Sequence, residues 1–241
     1  MSALLLPSGS LAEGAAVDIP PDEAHHLRVR RATDGEQVRL IDGAGRVGLG
    51  VLEQNGSGWR ALIEHVNTVP AAPALVIAVG GGDRERFGLI VEKATELGAT
   101  DIVAVDTHRS RSVAGRVRPE HVEKLAGRAL ASLKQSGGAW LPRVRGPVAF
   151  EDALRLGIGG RRWLASVSDE QSATAPRDGP MAILVGPEGG FSTSERDAAL
   201  LSGWEPVRLA RGTLRFETAA IVAVALVAAA RAGRKVEERH E

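Results

Sequence analysis

A glycine-rich segment in the last quarter of the chain has the residue types of a ligand-binding loop. Residues 186–191 read GPEGGF and directly follow the apolar run 182–185. Ser192 and Glu195 then form a capping box, which predicts that a helix begins there. Because open α/β sheets bind ligands at the carboxyl ends of parallel strands, this placement favours a binding loop. The alternative is a tight turn that needs glycine for its conformation and leaves Glu188 in solvent.

A second segment of the same kind follows about twenty residues later. Residues 211–218 read RGTLRFET, after a strand predicted at 207–210 and before a helix predicted from about Phe216. Two loops at the carboxyl ends of strands can face one crevice. Arg215 keeps its charge and suits the stabilisation of a developing anion, while Glu217 is a candidate to orient Arg215 or to accept a proton. The alternative is that the two side chains only pair with each other on the surface.

Other site chemistries are absent or incomplete. The segment 80–83 (GGGD) lies between a predicted strand and a predicted helix, but Glu85 occupies the third glycine position of a dinucleotide-binding fingerprint, and no Walker lysine follows a glycine loop. The chain has no cysteine, which excludes disulfides and thiolate metal sites. The six histidines, His25, His26, His65, His108, His121 and His240, show no metal-ligand spacing. We therefore expect no metal, and we interpret His25 and His26 as polar surface or RNA-facing groups, the alternative being burial of one of them.

Charge is concentrated in one region. The formal net charge of the chain is zero, with 30 basic and 30 acidic residues. Between Thr107 and Pro147, however, nine Arg or Lys residues stand against two glutamates, a local charge of +7. Phosphate binding needs local positive charge, so this run predicts an RNA contact. A solvated helix face is the alternative.

The order of elements predicts two domains. Short strands at 37–41, 47–53 and 59–66 are separated by glycine-rich turns and preceded by a helix that Pro20 and Pro21 open, which predicts a small β-barrel domain over residues 1–70. After the proline-interrupted stretch 69–73, strands at 74–79, 102–105, 163–167, 182–185 and 207–210 alternate with helices. Alternation of this kind predicts an α/β domain with a parallel sheet over residues 74–241.

The motifs together resemble one family. The segments 25–46, 83–112, 134–138 (KQSGG), 184–191 (LVGPEGGF) and 209–221 (LARGTLRFETAAI) are similar, in this order, to the ribosomal RNA small subunit methyltransferase E family. The resemblance implies a PUA-like RNA-binding barrel followed by a SPOUT-type methyltransferase domain with a carboxyl-terminal trefoil knot. It also implies methylation of N3 of a uridine in the decoding region of 16S rRNA, with S-adenosylmethionine as cofactor.

The resemblance also carries site residues. For the reaction that the resemblance implies, the charge argument above makes Arg215 and Glu217 the candidate catalytic residues. The implied cofactor-binding residues are Leu184, Gly186, Glu188, Gly190, Leu209, Thr213, Leu214 and Thr218. The candidate RNA-binding residues, from the local positive charge and the matching segments, are Arg28, Arg30, Arg31, Arg109, Arg111 and Gln135. The chain departs from the family pattern at Gly81, where a lysine is usual, at Gly138, where an arginine is usual, and at Ala210, where a glycine is usual, and Arg30 replaces a usual leucine.

The last predicted helix indicates the oligomeric state. The run 219–230 is apolar on every side, which predicts a homodimer through this helix, and the resemblance implies the same. Its twelve residues are too few to cross a membrane. We expect no signal peptide, a cytoplasmic protein, and 16S rRNA or the assembled 30S subunit as partner. The alternatives are a SPOUT-like methyltransferase acting on tRNA or another rRNA position, and a non-catalytic ribosome-associated RNA-binding protein.

Overall fold

The protein divides into two compact units. The structure, a computed structural model, describes residues 3–157, 159–167 and 172–233. One unit comprises Met1–Ala72 and Leu130–Leu141, and the other comprises Pro73–Ala129 and Pro142–Glu241. The first unit therefore includes a later piece of chain that the predicted boundary near residue 70 does not contain.

The first unit is built on a curled mixed sheet. Its elements are β1 (Leu4–Leu5), β2 (Ala16–Asp18), α1 (Pro21–Val29), β3 (Gln37–Ile41), β4 (Arg46–Asn55) and β5 (Gly58–Thr68). The strand order is β1-β3-β4-β5-β2, and only the β1–β3 pair is parallel. Among the described residues β1 and β2 are the two edge strands and do not pair with each other. The sheet therefore does not close, and the predicted barrel is a half-barrel. A register shift at Leu49/Gly50 interrupts the longest ladder, and such bulges bend strands.

The second unit contains the alternating elements. They are β6 (Leu75–Gly80), α2 (Arg84–Glu96), β7 (Asp101–Asp106), α3 (Val122–Ser136), β8 (Arg143–Ala149), α4 (Phe150–Ala153), β9 (Arg161–Ser166), β10 (Met181–Val185), α5 (Thr193–Leu201), β11 (Glu205–Arg208) and α6 (Phe216–Ala232). Short 3₁₀ turns lie at Ser110–Ser112 and Pro119–His121. The residues of α3 are divided between the two units.

All neighbouring strands of the second sheet are parallel. The order is β11-β9-β10-β6-β7-β8. Successive residues of the buried strands pack into two apolar clusters: Ile183 belongs to one, and Leu184 belongs to the other. This is the alternation expected of a sheet with both faces covered. The parallel α/β fold that the sequence predicts is confirmed, whereas the trefoil knot stays a prediction.

Local sequence explains where the helices that follow β6 and β10 begin. The Asp83 carboxylate accepts hydrogen bonds from the backbone N–H groups of Glu85 and Arg86 and thereby caps α2. The predicted capping box of Ser192 and Glu195 is present at the start of α5. No helix among the described residues is long and apolar enough to span a bilayer.

Candidate active site

A pocket lies at the carboxyl ends of three neighbouring strands, β10, β9 and β11. Its cavity measures about 600 Å³, a size typical of small-molecule sites. The loop after β10 and the loop after β11 both line it, and the end of β9 lies between them. Because β9 separates the two other strands, the loops flank a central floor that consists of residues 164–167.

The loop after β10 is a tight backbone turn. Gly190 has a φ of +70°, and its N–H donates to the Pro187 carbonyl at 2.8 Å. A Cβ at Gly186 would meet the Gly190 Cα at 2.9 Å. Glycine is therefore required at both ends of the turn for its conformation and close packing. The same turn exposes backbone groups to the pocket, so the two interpretations of this loop, turn and binding loop, are compatible.

Gly80 and Gly82 pack against this loop. A Cβ at Gly80 would lie 2.4 Å from Pro187 Cδ, and one at Gly82 would lie 2.4 Å from Glu188 Oε2. Glu188 Oε1 also accepts a hydrogen bond from the Asp83 N–H at 2.9 Å. Close approach of the GPEGG loop thus explains Gly80 and Gly82, two of the three glycines that resembled part of a dinucleotide fingerprint. Glu188 is anchored to the start of α2 rather than fully solvated.

Arg109 reaches the pocket from the segment after β7. A local network fixes this segment: Thr107 N–H donates to Ser110 Oγ at 2.9 Å, and His108 N–H donates to Glu195 Oε1 at 2.7 Å. The Arg109 guanidinium donates to the Gly189 carbonyl and lines the pocket. Arg109, which the local positive charge predicts to bind RNA, therefore contacts the GPEGG loop.

Arg215 and Glu217 do not pair with each other. Arg215 is the N-cap residue of α6, its side chain is exposed, and it lines the pocket with no hydrogen bond or ion pair among the described residues. Glu217 is 8% exposed, and its Oε1 lies 3.9 Å from Arg86 Nη1. The surface Arg215–Glu217 pair that the sequence left open is absent from the described contacts, and Arg215 is available to a ligand.

Most of the predicted cofactor residues come together in the pocket. Those that line it are Gly186, Glu188, Gly190, Leu209, Thr213 and Leu214. Leu184 does not, because strand alternation directs it into the apolar cluster beneath α5. Thr218 is exposed in the first turn of α6 and also lies outside the lining. The binding roles of all eight residues stay predictions.

Several residues of the pocket wall were not identified from the sequence. They include Arg86, the floor at the end of β9, and Arg196. Arg196 Nη1 donates to Ser166 Oγ at 3.0 Å and so links α5 to the end of β9. The signal available in the sequence was their position: residues 164–167 end a parallel strand, and Arg86 and Arg196 lie in the first turns of the helices that follow two other parallel strands.

The basic run is largely compensated by acids from outside it. Five of its nine cations, all within described residues, take part in ion pairs: Arg111 with Asp106, Arg128 with Glu85 and Glu92, Arg143 and Arg145 with Asp101, and Lys134 with Glu23. Arg116 donates to the Arg111 carbonyl. Arg118 and Lys124 are exposed and have no side-chain partner in the described part of the chain. The charge of +7 counted between Thr107 and Pro147 therefore overstates the positive charge that this region leaves unpaired.

The remaining predicted RNA-binding residues lie on surfaces. Arg28 and Arg31 are exposed at the end of α1, and Arg30 forms an ion pair with Glu36. This contact lowers the pKa of Glu36. Gln135 is exposed on α3. His25 and His26 are both exposed, so neither is a core residue.

No metal-binding cluster occurs within the described ranges, 3–157, 159–167 and 172–233. His240 lies outside them.

Comparison with known proteins identifies the family. The RNA methyltransferase domain family matches residues 70–228, more than half of the chain, and the RNA methyltransferase PUA domain family matches residues 19–57. A ribosomal RNA small subunit methyltransferase E from Mycobacterium bovis is 30% identical over 226 residues, covering 89% of this chain and 86% of the relative. The chain belongs to the ribosomal RNA small subunit methyltransferase E family.

Solved structures of the methyltransferase E family and its relatives share the fold. A methyltransferase E from Neisseria gonorrhoeae, crystallised with S-adenosylmethionine, superposes with a TM-score of 0.83 at 26% identity, covering 93% of this chain and 95% of that one. A putative methyltransferase from Legionella pneumophila, also solved with this cofactor bound, gives 0.82 at 25% identity, with coverages of 95% and 98%. The methyltransferase match in this chain, residues 70–228, contains both loops of the pocket.

Proposed function

We propose that this protein transfers a methyl group from S-adenosylmethionine to N3 of a uridine in the decoding region of 16S rRNA. The single observation that carries the proposal is the pocket that the GPEGG loop and the loop 209–215 form at the carboxyl ends of neighbouring parallel strands. Family membership supports the reaction class and the rRNA acceptor.

The pocket fits the cofactor in size and lining. About 600 Å³ accommodates a nucleoside-sized ligand. Leu209, Leu214 and Phe191 supply apolar surface for an adenine ring, and the backbone of the GPEGG loop supplies polar groups for its edge. S-adenosylmethionine contributes an electrophilic methyl group on a sulfonium. The loops contribute alignment, because positioning alone accelerates an in-line displacement greatly.

Arg215 is the catalytic residue in this proposal. Transfer to N3 requires that the uridine lose its N3 proton, so negative charge develops on the uracil ring. A guanidinium that stays charged and is not neutralised by a neighbour stabilises such an anion. Arg215 meets these conditions because it lines the pocket without an ion pair in the described structure.

RNA binding is proposed to involve both sequence domains, 1–70 and 74–241. The exposed guanidinium groups of Arg28 and Arg31 and the side chain of Gln135 are available to RNA. In the second unit Arg118 and Lys124 join Arg111 as candidates for phosphate contacts, while Arg109 is placed to link bound RNA to the GPEGG loop. We also propose a cytoplasmic homodimer with a knotted carboxyl-terminal region, as the family resemblance implies.

The proposal is tested by methyl transfer from labelled S-adenosylmethionine to three acceptors. These are 30S subunits from cells in which this gene is disrupted, deproteinised 16S rRNA and bulk tRNA. Label in 30S subunits or 16S rRNA alone is the expected result. Label in tRNA alone, or in none of the three, contradicts it. A cofactor-bound crystal structure with the ligand at residues 80–83 instead of the pocket overturns the site assignment.

A further inference from the structure

Glu217 is a buried carboxylate whose partners are incomplete. Its Oε2 is buried and has no hydrogen-bond partner in the described part of the chain. Its Oε1 faces Arg86 Nη1 at 3.9 Å, which is within ion-pair range but beyond hydrogen-bond distance. Burying a charge is costly unless an opposite charge offsets it. The Arg86 guanidinium is the group that provides this compensation.

Arg86 belongs to the pocket wall as well as to this ion pair. It lies in the first turn of α2, which packs against α6. Its side chain is 45% exposed, compared with 11% for that of Glu217, and it lines the pocket together with Arg215. One residue therefore contacts both the open pocket and the buried carboxylate two residues beyond Arg215.

The charge of Glu217 opposes the chemistry proposed for Arg215. The reaction builds negative charge on the acceptor base, and a second negative charge close by, in a poorly solvated position, disfavours it. The guanidinium groups that line the pocket are those of Arg86, Arg109, Arg196 and Arg215. Of these, Arg86 is the one that forms an ion pair with Glu217.

We propose that Arg86 is a positioning residue that neutralises the buried Glu217 carboxylate and thereby keeps the pocket electropositive where negative charge grows on the acceptor base. This inference rests on the proposed function. It assigns Glu217 an electrostatic role through Arg86 rather than a contact with Arg215.

The cofactor and its product form a matched pair of probes for this charge. S-adenosylhomocysteine differs from S-adenosylmethionine by the methyl group and its positive charge. When Arg86 loses its charge, the uncompensated carboxylate attracts the cationic cofactor more than the neutral product. The ratio of the two dissociation constants therefore reports the electrostatic potential of the pocket without any RNA.

Three variants and one control make the measurement specific. Arg86→Met removes the charge and keeps the apolar stem, Arg86→Lys keeps the charge, and Arg86→Met/Glu217→Gln removes both charges. Arg84→Ala is the matched control, because Arg84 is exposed on the same turn of α2, pairs with Glu85 at 3.8 Å and does not line the pocket. Dissociation constants for both ligands are measured by titration calorimetry on the full chain.

We expect Arg86→Met to change the ratio of the two dissociation constants by about tenfold in favour of S-adenosylmethionine. This is the size of effect that one partly screened charge has on a nearby charged ligand. Arg86→Lys and Arg84→Ala keep the wild-type ratio, and the double variant returns to it. An unchanged ratio in Arg86→Met, or a changed ratio that Glu217→Gln does not reverse, overturns the inference, since a purely structural loss affects both ligands alike.

Single-turnover transfer to 30S subunits at saturating cofactor provides the second readout. Arg86→Met slows transfer about tenfold or more, and the added Glu217→Gln change restores at least part of that loss. A slow rate that the second change does not restore contradicts the inference. If the wild-type protein itself transfers no methyl group to 30S subunits, the proposed acceptor is wrong, and the affinity ratio still decides the role of Arg86.

Discussion

Arg215 ends the loop after β11 in an extended conformation and leaves its guanidinium in the pocket without an ion pair in the described structure. If this group stabilises the anion that develops on uracil, Arg215→Ala lowers the transfer rate by roughly 10²- to 10³-fold, the usual effect of deleting one such donor. Cofactor affinity changes little, because the charge acts on the acceptor. Single-turnover transfer with saturating cofactor measures the rate.

Arg211→Ala is the matched control for this change. Arg211 is exposed on the same loop but does not line the pocket, so its loss leaves the single-turnover rate near that of the wild type. An Arg215→Ala rate within about threefold of wild type, a barrier difference of well under 1.4 kcal/mol, removes Arg215 from the mechanism.

At the residue scale, the sequence predicted the pocket residues that lie in the loops directly after parallel strands. Gly186 directly follows the apolar run 182–185, Gly190 and Arg215 lie in the loops after β10 and β11, and all three line the pocket. The sequence could not locate Arg86, because its contact with Glu217 joins residues more than a hundred positions apart. Such pairs depend on helix packing rather than on local pattern.

The packing of the 80–82 segment against the GPEGG loop is the element-scale feature that shapes the pocket. Gly80→Ala places a Cβ 2.4 Å from Pro187 Cδ and 2.6 Å from its backbone nitrogen, so the loop must move. Because backbone groups of that loop line the pocket, we expect cofactor affinity to fall by about tenfold or more, since a loop displacement removes several hydrogen bonds that each contribute about 1 kcal/mol. Calorimetric titration of S-adenosylmethionine tests this.

Gly127→Ala is the control for Gly80→Ala, because an added Cβ at Gly127 has no close neighbour. A Cβ there meets no atom within 4 Å, and the residue is exposed on α3. Replacement by alanine inside a helix stabilises the fold by about 0.5–1 kcal/mol and leaves cofactor affinity unchanged. Equal affinities for the Gly80→Ala variant and wild type contradict the packing account.

Elements that sequence patterns did not predict lie at sheet edges or are very short. β1 has only two residues and β2 only three. β8 is one of the two edge strands of the parallel sheet and contains Arg143, Arg145 and Pro147. An edge strand tolerates charge and proline that a central strand does not, so its pattern resembles a loop. The buried strands β6 and β10, by contrast, were evident as continuous apolar runs.

At the scale of the whole molecule, RNA binding should depend on exposed, unpaired cations rather than on the full basic run. The paired change Arg28→Ala/Arg31→Ala weakens binding to 16S rRNA and lowers the slope of log K against log salt by about 0.7 to 0.9 for each phosphate that the variant no longer neutralises. Filter binding over a salt series measures the slope. Arg155→Ala, whose side chain is paired with Asp152 at 2.7 Å, is the control. Equal slopes in wild type and the paired variant contradict the prediction.

The α6 helix predicts the oligomeric state. Ala220, Ala223, Val224 and Val227 are buried against the sheet, while Val222, Ala225 and Ala229 on the opposite side are only half-buried or exposed. A helix that is apolar on every side is stable when a second surface covers it. Sedimentation at micromolar concentration is expected to show a dimer, and Ala225→Lys is expected to shift it to monomer. A stable wild-type monomer contradicts the dimer prediction.

The central claim, N3 methylation of a 16S rRNA uridine, is tested most directly by mapping the modified atom. The purified protein and labelled cofactor are incubated with 30S subunits that lack the modification, and the RNA is digested to nucleosides and analysed by mass spectrometry and reverse-transcription stops. The account predicts N3-methyluridine at one position in the decoding region, and no product with Arg215→Ala on the wild-type time scale. Methyl label on a ribose hydroxyl, on another base atom or on tRNA contradicts it.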